Sequence, residues 1–359
     1  MIDDNEHKNI TIKDVAKLAQ VSTGTVDRVI HKRGKVSEKN LKKVHEAIKE
    51  LSYTPSQIAS ALSYRKNPIT IGITYPSVDI DFWEEIPLGI EAARKQLEPF
   101  GVKIVDIPTH NYSFSEQNNA LEQLISMKVN AIIFCAVNDY SSSAVKPPKN
   151  IPFATIVNKT RTKGISFHIG PNDFKIGQLA AKLASLYTKE KGLALILSPN
   201  ASFTGTQERV AGFISKINQD ELGVEILRTE SVKGESDDEI KKNIYEITTK
   251  YIKSTPDLNC IYVTDGFFSA AAKAIIDANK VKEIKLIGHE YTKNIEHYLN
   301  TGAVSATIYQ HQARQTYLAI IQMFNHLQNK QKAENSFIQC SILMKETFSI
   351  VNIGNQDLI

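Results

Sequence analysis

The stretch from Thr11 to Ile30, TIKDVAKLAQVSTGTVDRVI, reads as two short helices joined by a tight turn. Thr11 followed three places later by Asp14 is a capping pattern that starts a helix. Val15, Ala16 and Ala19 then share one apolar face, with Lys13 and Lys17 opposite. Gln20-Val21-Ser22 breaks that helix, Val21 being the plug of the turn. Ser22 caps a second helix from Thr23 to about Ile30, whose inner face is Val26, Val29 and Ile30. The pair forms a helix-turn-helix whose second member presents Thr23, Gly24, Thr25, Arg28 and His31 outward. A helical hairpin buried inside a larger core is the competing reading, and the segments that follow weigh against it.

Downstream, Gly34-Lys35 ends the recognition helix, and His31, Lys32, Arg33 and Lys35 make a basic wing beside it, suited to backbone phosphates. Ser37 caps a third helix on which Leu41, Val44, Ile48 and Leu51 recur at helical spacing, a core stripe. Tyr53-Thr54-Pro55 ends it, and PSQIASAL (55–62) follows. Proline at its start and alanines inside favour a helix, but so short a helix is not stable alone in water. Such a segment orders when a partner supplies contacts; an ordinary interdomain linker is the alternative.

Charge divides the same way. Residues 1–66 hold 13 Lys+Arg against 8 Asp+Glu, and the remainder holds 30 against 31, so the whole excess behind the net +4 lies on the head. The 359 residues leave room for about two to three domains at the usual ~150 each. Hydrophobic and charged contents of 42% and 23% are those of an ordinary soluble globular protein. The first residues, MIDDNEHKN, have no apolar core for a secretory signal, and no run approaches a membrane helix. Cys135, Cys260 and Cys340 are odd in number and far apart, which predicts buried thiols rather than a metal or redox site. The expected compartment is the cytoplasm.

From Ile69 the chain alternates strands and helices. ITIGITYP, VKIVDI, AIIFCAV, IPFATIV, GLALILS, VEILRTE, NCIYVT and IKLIGHE are strand-like runs. Helices are expected at Glu84–Glu98, Ser115–Met127, Asn172–Thr188, around Gly205–Ile217, around Asp237–Ile252 and around Phe267–Ala278. Strict alternation implies parallel sheets covered by helices, and the run is about twice one doubly wound unit. Two lobes follow, with a ligand cleft at the carboxyl ends of their strands.

The opening stretch strongly resembles the lactose-repressor-like (LacI/GalR) family of bacterial transcription regulators. The family pattern T-I-x-D-V-A-x-x-A-x-V-S-x-x-T-V-x-R-V is met at Thr11, Ile12, Asp14, Val15, Ala16, Ala19, Val21, Ser22, Thr25, Val26, Arg28 and Val29. Asp27 departs from the family's serine; it turns from the phosphates, pairs with Arg28 or reads a cytosine amino group. Gly24 leaves a base-contacting position without a side chain, which weakens direct readout there or lets the backbone approach closely. The resemblance implies an all-α helix-turn-helix head (residues 1–54) and a hinge helix (55–66). Behind these it implies an α/β effector and dimerisation domain of the two-lobed periplasmic-binding-protein-like type I kind (67–359). Lobe 1 is expected at about 67–165 plus 294–326, and lobe 2 at about 166–293 plus 327–359. Residues 55–62 resemble a hinge helix that pairs with its copy in the minor groove, Ala59 and Leu62 matching the family positions and Leu62 acting as the wedge. The implied DNA contacts are Thr11, Ser22, Thr23, Gly24, Thr25, Arg28, His31, Lys35, Ala59 and Leu62.

In the cleft, the resemblance implies that Phe82 and Trp83, in the loop after the first strand, stack on the ligand, and that Arg209 reaches in to fork onto ligand oxygens. Asp265, Glu290 and Gln310 stand at family positions at strand ends, and Asp139 ends the third strand. Aromatic faces with Arg, Asp, Glu and Gln suit a hydroxyl-rich ligand, so a sugar or sugar derivative is expected; purines and other metabolites also use this fold. No catalytic residue, metal or cofactor is expected: His289-Glu290 has Lys293 where a zinc-protease helix needs histidine, and there is no G-x-S-x-G or P-loop. The expected protein is a homodimeric, effector-controlled repressor on double-stranded DNA with a near-palindromic operator and no membrane contact. A DNA-tethered sugar-processing enzyme is the alternative from another class.

Overall fold

The computed structural model describes residues 11–30, 34–51, 53, 68–77, 81–110, 112–138, 145, 147–189, 191–199, 203–234, 236–292, 294–329 and 331–348. The expected hinge, with Ala59 and Leu62, and the expected contacts His31 and Asp139 lie outside these residues.

The head consists of α1 (Ile12–Ala19), α2 (Thr23–Ile30) and α3 (Glu38–Glu50). Local chemistry sets its boundaries. The Thr11 backbone N–H and hydroxyl both donate to Asp14 Oδ2, at 2.8 and 2.7 Å. Gln20 ends α1 in the left-handed conformation at φ 54°, and Ser22 Oγ accepts from the Thr25 N–H at 3.1 Å. Val15, Ala16, Ala19, Val26, Val29, Val44 and Ala47 form a core of the head's own, against which Val21 packs. Two details differ from expectation. Leu41 is 41% exposed and Ala47 takes a core place, because the stripe on α3 is rotated relative to the sequence reading. Ser37 stands at the N-cap without a side-chain capping bond.

The body holds two six-stranded sheets. The first contains β1 (Thr70–Thr74), β2 (Lys103–Asp106), β3 (Ala131–Phe134), β4 (Phe153–Ile156), β5 (Ile165–Gly170) and β11 (Ser336–Phe337), in the order β11-β5-β4-β3-β1-β2. The second contains β6 (Gly192–Pro199), β7 (Val224–Val232), β8 (Cys260–Val263), β9 (Lys285–His289), β10 (Ala306–Tyr309) and β12 (Ser341–Leu343), in the order β12-β10-β9-β8-β6-β7. All pairings are parallel except β10 with β12. Strands β1, β3, β4, β8 and β10 are buried almost throughout, as strands covered on both faces must be.

The covering helices are α4 (Asp81–Leu97), α5 (Phe114–Ser126), α6 (Asp173–Thr188), α7 (Thr204–Asp220), α8 (Asp237–Ser254), α9 (Phe268–Asp277), α10 (Ile295–Thr301) and α11 (Gln312–Asn329), with a short α12 (Lys345–Phe348). Helix α4 starts before Glu84, so Phe82 and Trp83 stand in its first turn and not in a loop. The lobe boundaries also move. Strand β5 pairs with β4 and so belongs to the first lobe, whereas α10 and β10 belong to the second. Leu327, Ala333 and Ile338 pack on the first lobe's core. The chain therefore crosses between lobes near residues 171–172, 310–312 and 338–341, and not at 165, 293 and 326. Cys135 and Cys260 are buried, and burial pushes both thiols up to about 12. No described helix is long and apolar enough to cross a membrane.

Candidate functional site

Two surfaces carry the chemistry. On the head, Ser22, Thr23, Gly24 and Arg28 are exposed and Thr25 half-buried, while Val26 and Val29 point inward. The Arg28 Nε donates to the Gly24 carbonyl at 3.1 Å, holding the guanidinium along the exposed N-terminal end of α2. Lys35 is exposed beyond the helix. Around Gly24 the protein leaves open space: an added Cβ would meet only Arg28 Nη2 and Ser22 Oγ, each at 3.9 Å. The head's own packing thus does not demand glycine there.

The second surface is a cleft of about 640 Å³ between the carboxyl ends of the two sheets. In each sheet the chain order reverses between adjacent strands, β1 and β3 in the first and β6 and β8 in the second, and loops diverging at such a point leave a crevice. Phe82, Trp83, Tyr112, Val157 and Asn158 line it from the first lobe, and Phe203, Gly205, Thr206, Arg209, Asp265, Gly266, Phe267 and Glu290 from the second, with Gln310 at the crossing. Six of the seven expected ligand residues therefore come together. Sequence reading missed Tyr112, Asn158, Phe203, Thr206 and Phe267. Asn158 and Phe203 follow closely on strand ends, a signal that was available; Thr206, in the first turn of α7, and Tyr112, in the loop after β2, stand six or seven residues past their strands and had none.

The aromatic wall is continuous. The rings of Phe82 and Trp83 meet edge-on at 4.6 Å, Trp83 lies 5.9 Å from Tyr112, and its indole N–H donates to the Tyr112 hydroxyl at 2.8 Å. Trp83 is only 5% exposed, so it serves the first lobe's core as well as the cleft. Tyr112 in turn meets Phe203 of the opposite lobe at 6.3 Å, and Lys159 reaches Glu208 across the cleft at 3.6 Å.

The polar floor is a directed network. Arg209 Nε donates to Asp173 Oδ1 at 2.8 Å, Nη1 to the Thr264 carbonyl at 2.8 Å and Nη2 to Gln310 Oε1 at 3.0 Å. Arginine only donates, so Gln310 is oriented with its amide N–H₂ toward Glu290 Oε1; Gln312 donates to Glu290 Oε2. Burial pulls the Arg209 guanidinium toward neutrality, but the Asp173 carboxylate hydrogen-bonded to it outweighs that pull and holds the charge. Glu290 is 2% exposed, and burial raises its carboxyl to about 8 against the opposing pull of Arg209. Beside it Glu85, buried in α4, accepts from the Tyr309 hydroxyl at 2.7 Å, and burial raises its carboxyl too. Val157, Glu290 and His311 adopt left-handed φ values of 61°, 76° and 56° around this floor. For a β-branched residue such as Val157 that is a strained backbone, held by its surroundings.

The raised Glu290 makes a pH prediction. Above about 4.5 the unfolded chain releases this proton, while the folded chain keeps it to about 8. The unfolded state binds fewer protons in that window, so Glu290's contribution to stability falls as pH rises, by up to about 1.4 kcal/mol per unit. Denaturation at pH 5 and pH 8 should show a larger loss for the wild type than for Glu290→Gln; equal losses would mean that Glu290 is ionised throughout.

Comparison with known proteins bears on both surfaces. The family described as a periplasmic binding protein domain matches residues 71–331, and that described as bacterial regulatory proteins, lacI family, matches residues 11–56. The sucrose operon repressor of Lactococcus lactis subsp. lactis is 26% identical over 293 residues, covering 80% of this chain and 85% of the relative. The HTH-type transcriptional repressor PurR of Actinobacillus pleuropneumoniae serotype 5b (strain L20) is 32% identical over 216 residues, 60% of this chain and 62% of the relative. This match thus spans less than two thirds of that repressor. Among solved structures, GanP, a glucose-galactose binding protein from Geobacillus stearothermophilus, superposes with a TM-score of 0.70 at 23% identity, covering 79% of this chain and 99% of its own. That likeness speaks for the fold of the body. With the helix-turn-helix signature at its start and this two-lobed domain behind it, the chain belongs to the lacI family of bacterial regulatory proteins.

Proposed function

We propose that the protein is a transcription repressor whose grip on operator DNA is set by a small molecule held between the two lobes. The observation that carries this is the joining, in one chain, of an exposed recognition face on α2 with a cleft that gathers an aromatic wall and a buried polar floor. The protein acts as a homodimer in the cytoplasm, its two recognition helices entering successive major-groove faces of a near-palindromic operator. Residues 55–66 act as the hinge, with Leu62 as a minor-groove wedge. Closing of the lobes on the effector changes the hinge spacing and hence the affinity for DNA. The effector leaves unaltered, so the protein is a sensor and not an enzyme.

A sugar or sugar derivative is the favoured effector. Relatives include sucrose and ribose operon repressors, and structural neighbours bind glucose or galactose, arabinose and myo-inositol. A purine is the second reading, favoured by the similarity to PurR repressors and by an aromatic wall that suits a flat heterocycle.

The test is to select duplexes from a random pool with the purified protein and to measure their binding with and without candidate effectors. The expected outcome is a near-palindromic site bound by wild type. Arg28→Ala should weaken that binding by about 1–3 kcal/mol per half-site while leaving helix content unchanged. Equal binding by Arg28→Ala would remove α2 from the interface. An effector consumed on incubation would favour the enzyme reading.

A further inference from the structure

We infer that Glu85 of the first lobe and Glu290 of the second share a proton across the crossing at residues 309–313, and that the shared proton helps to hold the lobes together. The inference goes beyond the proposed function and does not depend on what the cleft binds.

The crossing carries the chain from β10 in the second lobe to α11 in the first, and each lobe grips it with a buried carboxyl group. Glu85, on α4 and 7% exposed, has both carboxyl oxygens 2.7 Å from the Tyr309 hydroxyl, and its Oε2 also accepts from the Ala313 N–H at 3.4 Å. Its helix is pinned there. One turn on, a Cβ at Gly89 would lie 2.2 Å from the Ala313 carbonyl oxygen, so α4 and the start of α11 touch backbone to backbone. Glu290, just after β9 and 2% exposed, accepts from the Gln310 and Gln312 side-chain amides. Gln312 thus meets both carboxyl groups, Glu290 through its side chain and Glu85 through its backbone N–H.

Two carboxyl groups so near each other and so dry do not readily ionise together. Glu85 has a hydroxyl and backbone N–H groups to offset a charge, and no cation forms an ion pair with it among the described residues. The tyrosine hydroxyl brings one proton to two oxygens; a proton on the carboxyl, donated to the Tyr309 oxygen, makes the second contact a hydrogen bond as well. At Glu290, Arg209 fixes the Gln310 amide, but Gln312 Oε1 has no partner among the described residues. Nothing therefore holds that second amide against turning to accept from a protonated Glu290. Burial raises both carboxyls, Glu290 to about 8, and Glu85 adds to the rise at Glu290.

Other charged and titratable groups face the pair. Arg209, with Asp173 behind it, pulls Glu290 down and is outweighed by burial. Burial keeps Tyr262 and Cys340 protonated and His289 neutral across the neutral range. Asp265, His311, Lys159 and Glu208 are present in every variant below, so their titration is common to all. Above the pair's midpoint both carboxylates repel across the crossing; below it a neutral acid bonds in place of one. Closing the cleft dries Glu290 further, so closure and proton uptake favour each other.

The experiment is infrared spectroscopy of the full chain, labelled with carbon-13 in its glutamate carboxyls, from pH 7 to pH 9.5. Wild type should show a protonated-glutamate carbonyl band at pH 7 that is lost by pH 9.5. In Glu85→Gln and in Glu290→Gln the remaining carboxyl, freed of its neighbour, should ionise about 0.5 pH unit or more lower, a threefold change in proton affinity, and the double variant should lack the band. Glu85→Leu and Glu290→Leu replace any glutamine variant that does not fold. Trp83, the chain's one tryptophan, lies on α4 two residues before Glu85 and reports on the lobes. Its quenching by acrylamide should rise about twofold in wild type as the band is lost, and should not rise in the double variant. Absence of the band from wild type at pH 7 overturns the inference, and so do single variants that keep the wild-type midpoint. Quenching that stays constant while the band disappears overturns the hold on the lobes.

Discussion

Arg209→Ala is expected to destabilise the second lobe by about 3–5 kcal/mol and to abolish the response to effector. The reason is what it leaves behind. Asp173 would remain buried with its charge and without its partner at 2.8 Å, and the Thr264 carbonyl and Gln310 Oε1 would each lose the donor that Arg209 supplies. Removing one member of a buried ion pair costs far more than replacing both, because the survivor keeps its desolvation penalty. Gln310 would also lose the contact that orients its amide toward Glu290, so the damage spreads to the crossing between the lobes. Two companion variants identify the cause. Asp173→Asn added to Arg209→Ala should recover part of the loss, since no buried charge is then stranded, and the two changes should be strongly non-additive. Arg209→Lys keeps the charge but cannot reach three acceptors with one planar fork, and should fall between wild type and alanine. Chemical denaturation measures all three. A loss below about 1 kcal/mol for Arg209→Ala would mean that water reaches Asp173 and that the floor of the cleft is not closed.

What could be read from the sequence follows how local each determinant is. The head was legible because its signals lie within three or four residues of one another: Thr11 with Asp14, Ser22 with Thr25, Val26 with Val29. Leu41 was misplaced because helical spacing defines a stripe, whereas which edge of the stripe reaches the core depends on how α3 docks on α1 and α2. In the body, the strand runs announced a parallel sheet, but ISFHIG (165–170) did not, its serine and histidine interrupting the apolar run. The lobe boundaries were misjudged for a related reason. Sheet membership of a crossing segment is decided by the strand it pairs with, β5 with β4 and β10 with β9, and pairing is not a local property. Within the cleft, the residues marked by the family pattern at strand ends assembled as expected. Asp173 could not be found this way, because its meaning comes from a partner 36 positions away on another helix.

Gly177→Ala should lower the stability of the second lobe by about 2 kcal/mol or more, although alanine is the better helix former. Helices α6 and α7 touch backbone to backbone. A Cβ at Gly177 would lie 2.0 Å from the Arg209 carbonyl oxygen, and one at Gly212 would lie 2.0 Å from the Phe174 carbonyl oxygen, where ordinary contact begins near 3.4 Å. Neither obstacle is the end of a flexible side chain, so the helices must separate by more than 1 Å. That separation loosens the packing of Ala180, Ala181 and Phe213 between them and beneath Tyr262. Overpacking of this kind costs typically 1–3 kcal/mol, occasionally more, against a helix-propensity gain of only about 0.5–1 kcal/mol. Packing therefore wins. The effect should reach the ligand as well, since the displaced atom belongs to Arg209, whose side chain holds the floor of the cleft, and Gly212→Ala should act alike from the other side. The same substitution in the head supplies the control. At Gly24 an added methyl meets nothing closer than 3.9 Å, so Gly24→Ala should gain the propensity term and raise the head's own melting transition. One chemical change, two opposite signs, is what backbone contact between α6 and α7 requires. If Gly177→Ala stabilised its lobe as Gly24→Ala stabilises the head, the close crossing that sets Arg209 against Asp173 would be wrong.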